Sequence, residues 1–426
     1  MGNALNSFIM GVPSFVRTVL DGLSRGKGAL KCPRSKMGSI WRRSQAKTKW
    51  KALKKMLMMK RIVMVLWVSL LCSCSKDEAE MVVEADLVPS FVLVGLDTES
   101  VYQYNYDGLE DSGETFNLSQ ELGMGPNYLT LRQEGEQLSF YTFSDGAFSL
   151  YQKNVLTGAI NKYVDFYENT DARSIVWGTN DMASVYFGYY SPRGSRNLAL
   201  YTLDLAVMQG EDTSLEFNIQ ELYQPLYEDG RLYITYQNGS GTFKLIIYDT
   251  VVGRVLQNLD YGSARPSIFI TDNGNLAIIK LRPNGVMELE VRAAETLAVV
   301  ADQVLNLNQV FLPGPLNAQL VENKLYYEFE FAQPFRLTKG PAIYDLSNDE
   351  NTVLDIEFIL NQVTSETGGS YDVISSVYNS DSDAFLLAYR ALDNQDGLEG
   401  GVLAITSTGQ LLKRVPLPFF PTYFLE

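Results

Sequence analysis

The chain has 426 residues with 50 acids against 35 Lys and Arg, no histidine, and three cysteines, Cys32, Cys72 and Cys74. Without histidine, and with no cysteine beyond position 74, it lacks the means for Ser-His-Asp or Cys-His catalysis, imidazole or thiolate zinc sites, haem ligation, and disulfides in its main body. From Cys74 onward 20 cations face 49 acids; so acidic a surface repels nucleic acid, whose binding depends on neutralising phosphates, and leaves any chemistry to carboxylates, Tyr, Lys, Arg and hydroxyls.

Residues 1–58 hold 13 Lys and Arg against the single acid Asp21. No signal peptide needs so long a basic leader. We read the stretch as an upstream start-site artefact, with Met56, Met58 or Met59 as the true start; the rival reading is a genuine basic extension. In the next segment, 59–73, Met59-Lys60-Arg61 puts two positive charges before the ten residues Ile62 to Leu71 (IVMVLWVSLL), a signal-peptide pattern. That run is far short of the roughly 20 apolar residues of a bilayer-crossing helix, so a transmembrane anchor is the weaker reading.

The run ends in Leu71-Cys72-Ser73-Cys74. This resembles the lipobox of bacterial lipoproteins, with Leu71 three positions before the cleaved bond, small Ser73 next to it, and Cys72 as a mild departure. The resemblance implies lipidation of Cys74 and a tether, 74–88, to a membrane. Ser75-Lys76-Asp77-Glu78 looks like the Lys followed by two acids that serves as a surface-export signal in lipoproteins of the Bacteroidota, which implies the outer membrane and cell-surface exposure.

Residues 89–426 carry a repeat. A strand ending in a polar residue, then a turn, then another strand recurs seven times, as VYQYNYD, FSLYQKN, LALYTLD, FKLIIYD, MELEVRA, PAIYDL and GVLAIT. The anchors Asp107, Asn154, Asp204, Asp249, Ala293, Asp345 and Thr406 are 47, 50, 45, 44, 52 and 61 residues apart, close to one four-stranded propeller blade. Strands from Gly113, Ala159, Ser214, Val255, Val299, Val353 and Leu411 are expected after these turns, and strands from Ser90, Gln137, Ala183, Arg231, Asn275, Lys324 and Ala384 before them. Short apolar inner strands start at Asn127, Ser174, Pro225, Pro266, Ala318 and Val373, with none before Ser90; the missing copy is PTYFLE, Pro421 to Glu426. The expectation is an all-β, seven-bladed β-propeller closed by pairing of its C-terminal strand with the first blade, which removes free sheet edges. A six- or eight-bladed ring or a β-sandwich pair is the alternative. Thr157-Gly158 resembles a turn of quinoprotein-like repeats, but one blade alone keeps it and no cofactor is inferred.

In a propeller, the loops between second and third strands and those between blades share one face. Here they hold Arg173, Arg193, Arg196, Arg265, Arg282 and Arg336, with Lys339 close by and Tyr189, Tyr190, Phe311 and Phe335 among them. Guanidinium forks bind carboxylate or sulfate, and aromatic faces stack on sugar rings, so these residues form a candidate face for an acidic ligand such as a glycan. Against this stands local pairing with the abundant acids. Ser380 to Asp383 and Asn348 to Asn351 contain no complete calcium loop and read as solvated turns, so no metal is expected. The leading functional reading is a lipid-anchored, non-enzymatic binding module that resembles the propeller lipoproteins Bacteroidota pair with outer-membrane uptake receptors. Its partners would be the membrane, such a receptor, or an extracellular glycan. The alternatives are a carbohydrate-active lyase or hydrolase using Tyr, Arg and carboxylates, and a scaffold binding another protein over the propeller face.

Overall fold

A computed structural model describes residues 88–332, 335, 337–392 and 399–425. The leader, the signal segment and Cys74 lie outside the described residues. Seven antiparallel sheets follow one another along the chain and form a seven-bladed β-propeller. Named from the central channel outward, blade 1 is Phe420–Leu425, Phe91–Leu96, Val101–Asp107 and Ser112–Asn117; blade 2 is Thr130–Glu134, Gln137–Ser144, Ala147–Asn154 and Ile160–Glu168; blade 3 is Ser174–Asn180, Ser184–Tyr190, Leu198–Asp204 and Gln209–Glu216. In blade 4 the inner edge is split into Ile219–Leu222 and Leu226–Glu228, followed by Arg231–Asn238, Phe243–Asp249 and Arg254–Gly262. Blade 5 comprises Arg265–Ile270, Leu276–Leu281, Met287–Arg292 and Val299–Leu305, and a short parallel strand, Gly314–Pro315, is added inside it at Ser267 and Ile268. Blade 6 is Ala318–Val321, Lys324–Glu330, Lys339–Asp345 and Glu350–Val353; blade 7 is Tyr371–Asn379, Ala384–Ala391, Gly400–Thr406 and Leu411–Leu417.

The repeat anchors begin the turn between the third and fourth strands of each blade. Asp107, Asn154, Asp204, Asp249 and Asp345 turn a side-chain oxygen onto backbone N–H groups two or three residues on, the Asx turn that these residue types favour. Four residues after the anchor the backbone is left-handed, at Asp111, Gly158, Met208, Gly253 and Asp349. Ala293 lacks the acceptor side chain, yet Leu297 takes the same backbone; in blade 7 the left-handed residue is Gly409, three after Thr406.

Strand alternation sends side chains to both faces of every blade, and each face packs on a neighbour. The result is seven hydrophobic clusters, one per blade junction. Between blades 3 and 4, for example, Trp177, Tyr186, Leu200, Ile234, Tyr236 and Tyr248 meet. The strand tyrosines Tyr141, Tyr186, Tyr236, Tyr344 and Tyr389 are fully buried packing elements. Closure is as expected: Phe420–Leu425 pairs antiparallel with Phe91–Leu96, with Val92 opposite Leu425 and Leu93 opposite Phe424.

Two strand expectations are corrected. The residues from Val353 do not form an outer strand; that strand is Glu350–Val353, and a helix, Glu357–Thr367, follows it and buries Ile359, Leu360 and Val363 between blades 6 and 7. In blade 3 the outer strand is Gln209–Glu216, and Ile219 already belongs to the inner edge of blade 4.

Candidate ligand-binding rim

The face carrying the loops named above is called the upper face here; the opposite, lower face carries the anchor turns. Arg173, Arg193, Arg196, Arg265, Arg282 and Phe335 lie in or beside upper-face loops. Arg336 lies outside the described residues.

Three of these cations, and Lys339 close by, are neutralised locally. Arg173 makes a bidentate pair with Asp212, at 3.0 and 2.6 Å, and lies over the Tyr201 ring at 4.2 Å. Burial opposes charge on Asp212, but its bonds from Arg173 and Tyr189 prevail and hold its carboxyl below the usual range. Arg193 pairs with Asp171 at 2.5 Å and Arg282 with both oxygens of Glu288. Lys339 is buried against Glu328 at 2.5 Å. Tyr189 and Phe311 are buried as well, Tyr189 donating to Asp212 at 2.7 Å and Phe311 edge-on to Tyr327. Lys339, Tyr189 and Phe311 therefore leave the candidate face: third-strand position or blade-junction packing draws each side chain inward. Phe335 remains, stacked on Phe331 at 4.8 Å and partly exposed.

Arg196 and Arg265 are different. Both are exposed, and among the described residues neither has a carboxylate within ion-pair distance. Half-buried Tyr190 feels both Arg196 and Glu221: burial raises its phenol pKa, Arg196 opposes the rise, and Glu221 adds to it. Tyr223 donates to Glu221 at 2.6 Å, stacks beside Phe243, and feels the charge of Arg265. Arg196 and Tyr190 of blade 3, Glu221 and Tyr223 of blade 4 and Arg265 of blade 5 are thus linked by one hydrogen bond and by their charges on the upper side of blades 3 to 5. Nothing in the sequence singles out Tyr223 and Glu221 beyond Pro225, which splits the inner edge of blade 4 and marks their strand as irregular. Elsewhere on the upper face Val310, Leu312, Phe335, Phe358 and Leu392 present exposed apolar side chains over blades 5 to 7.

The channel holds a second polar group. Arg132, on the inner strand of blade 2, donates to the Gly178 carbonyl of blade 3 at 3.0 Å and to Gln224 Oε1 of blade 4 at 2.7 Å. At the lower mouth Glu134 and Glu228 are each pushed up to about 7, by burial first and then by acidic neighbours, Asp181 and Glu228 for Glu134 and Asp229 for Glu228. Asp181 is committed to its own turn, accepting from Ala183 and Ser184 N–H and from the Tyr186 hydroxyl. Among the described residues no group of three or more acids is placed to hold a metal ion; in the turns considered for calcium, Asp383 accepts from Tyr378 and Ser407, and Asp349 from Tyr344.

No family model and no curated protein matches the sequence. Among solved structures the chain is similar to a puromycin hydrolase, at 11% identity, covering 80% of this chain and 55% of that one with a TM-score of 0.46. It is also similar to TolB from Acinetobacter baumannii (13% identity, 78% and 80% covered, TM-score 0.37) and to the dihydro-heme d1 dehydrogenase NirN (10% identity, 79% and 68% covered, TM-score 0.40).

Proposed function

We propose that this protein is a lipid-anchored, non-enzymatic binding module at the cell surface, with an acidic extracellular ligand such as an acidic glycan seated on the upper rim of blades 3 to 5. The observation that carries the reading is that, among the described residues, Arg196 and Arg265 have no carboxylate partner in a chain whose acids outnumber its cations more than two to one from Cys74 onward. Two guanidinium groups left open near Tyr190 and Tyr223 would offer a site for carboxylate or sulfate with rings for a sugar face. The entry of the chain fits the anchored reading. Residues 88–90 lie on the lower face, where Ser90 Oγ accepts the Gly108 N–H at 2.9 Å, so a tether from Cys74 would join the face opposite the rim.

Two experiments test this. Fatty-acid labelling and membrane fractionation of wild type and Cys74→Ser should show acylation and envelope retention lost in the variant; retention of both contradicts the anchor. An acidic-polysaccharide array should show binding that Arg196→Ala and Arg265→Ala remove; no binding, or binding indifferent to both, contradicts the rim.

A second reading rests on the apolar side chains Val310, Leu312, Phe335, Phe358 and Leu392. Apolar side chains exposed on one face suit protein contact where they adjoin, and an outer-membrane receptor docked over blades 5 to 7 would leave Arg196 and Arg265 open to ligand.

A further inference from the structure

The inner strand of blade 2, Thr130–Glu134, places Arg132 at mid-height, and alternation turns it to the side of blade 3 together with Glu134. Its guanidinium reaches Gly178 on the inner strand of blade 3 and Gln224 in the break of the inner edge of blade 4. A side chain rooted in blade 2 can reach blade 4 only by crossing the inner edge of blade 3, so the group lies in the central channel. Gly314, on the short strand added inside blade 5, lies close to the backbone of Gln224.

Arg132 keeps only 7% of its surface exposed, yet both acceptors it has are neutral oxygens. Among the described residues no carboxylate lies within ion-pair distance of it, and its electrostatic neighbours are the phenols of Tyr141 and Tyr423. In a chain with so many acids this is an anomaly, because buried charges are ordinarily paired. Two of the five guanidinium N–H groups are used, and the planar fork suits a bidentate oxyanion.

We infer that the central channel holds a small oxyanion, a carboxylate or an inorganic oxyanion such as sulfate, on Arg132, with Gln224 and the Gly178 carbonyl fixing the guanidinium plane. This site is separate from the rim, shares no residue with it, and stands or falls independently of the rim reading.

The test is thermal unfolding of the full chain at constant ionic strength with acetate, citrate, sulfate or phosphate replacing chloride. A ligand that binds the folded state alone raises Tm in a saturable way. Wild type should show this for at least one oxyanion, with citrate and acetate against sulfate and phosphate separating the two chemistries. Arg132→Lys, which keeps charge but loses the fork, should bind at least tenfold more weakly. Gln224→Glu places a carboxylate where the oxyanion's charge is needed; it should raise Tm in chloride and abolish the oxyanion response, and it keeps the test decisive if the Arg132 variant does not fold. A wild-type Tm indifferent to anion identity overturns the proposal, as does an oxyanion response that survives Gln224→Glu in a chain whose Arg196 and Arg265 are also replaced by Ala, so that the rim contributes none of it.

Discussion

Leu93 and Phe424 stand opposite each other in the ladder that closes the ring, although they come from near the two ends of the described chain. Both are buried, and both belong to the cluster between blades 7 and 1. Phe424→Ala should therefore destabilise the whole ring by about 3–4 kcal/mol, the usual result of truncating a buried Phe. In the chain from Cys74 onward, where Trp177 is the single tryptophan, the denaturant midpoint by tryptophan fluorescence, which reports blade 3, should shift together with that by far-UV circular dichroism. An unchanged fluorescence midpoint would show that closure and the distant blades are uncoupled.

Gly188 and Trp177 make a tighter contact. A Cβ built on Gly188 would fall 2.3 Å from the Trp177 ring, itself 1% exposed between blades 3 and 4. Overpacking of this kind costs about 1–3 kcal/mol. Gly188→Ala should lower Tm and change the Trp177 emission, whereas Gly146→Ala, which has open space around it but a left-handed backbone, should lower Tm with no emission change. An unaltered spectrum in Gly188→Ala would contradict the packing.

The carboxyls at the lower channel mouth set a pH dependence. Glu134 and Glu228 titrate at about 7 in the folded chain, against an ordinary value of 4.5, chiefly through burial. Between those values the folded state holds protons that the unfolded chain has released, so stability falls as pH rises from about 4.5 to 7 and the full penalty remains above that. The double substitution Glu134→Gln and Glu228→Gln should flatten this decline in Tm-against-pH curves and raise Tm at pH 8. A double variant with the wild-type slope would show that these groups are not its source.

At the anchor turns, Met208 holds a left-handed φ of 54° on an exposed site. A side chain in this region costs about 1–2 kcal/mol, part of which glycine loses again through greater unfolded-state freedom. Met208→Gly should stabilise the chain by up to about 1 kcal/mol in denaturant melts; a loss of stability would mean that the Met208 side chain packs more than its exposure suggests.

These turns explain why the fold was legible. Asp107, Asn154, Asp204, Asp249 and Asp345 recur because each caps the same turn, and the chemistry of that turn is local. The helix Glu357–Thr367 was not legible from Val353, because the apolar run VLDIEFIL suits a strand until Val363 and the left-handed C-cap Gly368 are counted with it. The rim was legible in outline, since the loops that carry Arg173, Arg193, Arg196, Arg265 and Arg282 follow from the strand order. Which of them are free was not, because Asp212 reaches Arg173 and Asp171 reaches Arg193 only through tertiary placement. Arg132 is illegible for the same reason: on an inner strand, nothing local distinguishes a charge in the channel from one in solvent.

The most direct test is calorimetric titration of a polyuronate into wild type, Arg196→Ala/Arg265→Ala and Arg282→Ala. The account predicts measurable binding by wild type, at least a tenfold loss when the two unpaired arginines are removed, and less than a twofold change for Arg282→Ala, whose guanidinium is already engaged by Glu288. Equal affinity in all three proteins, or a loss confined to Arg282→Ala, would contradict it.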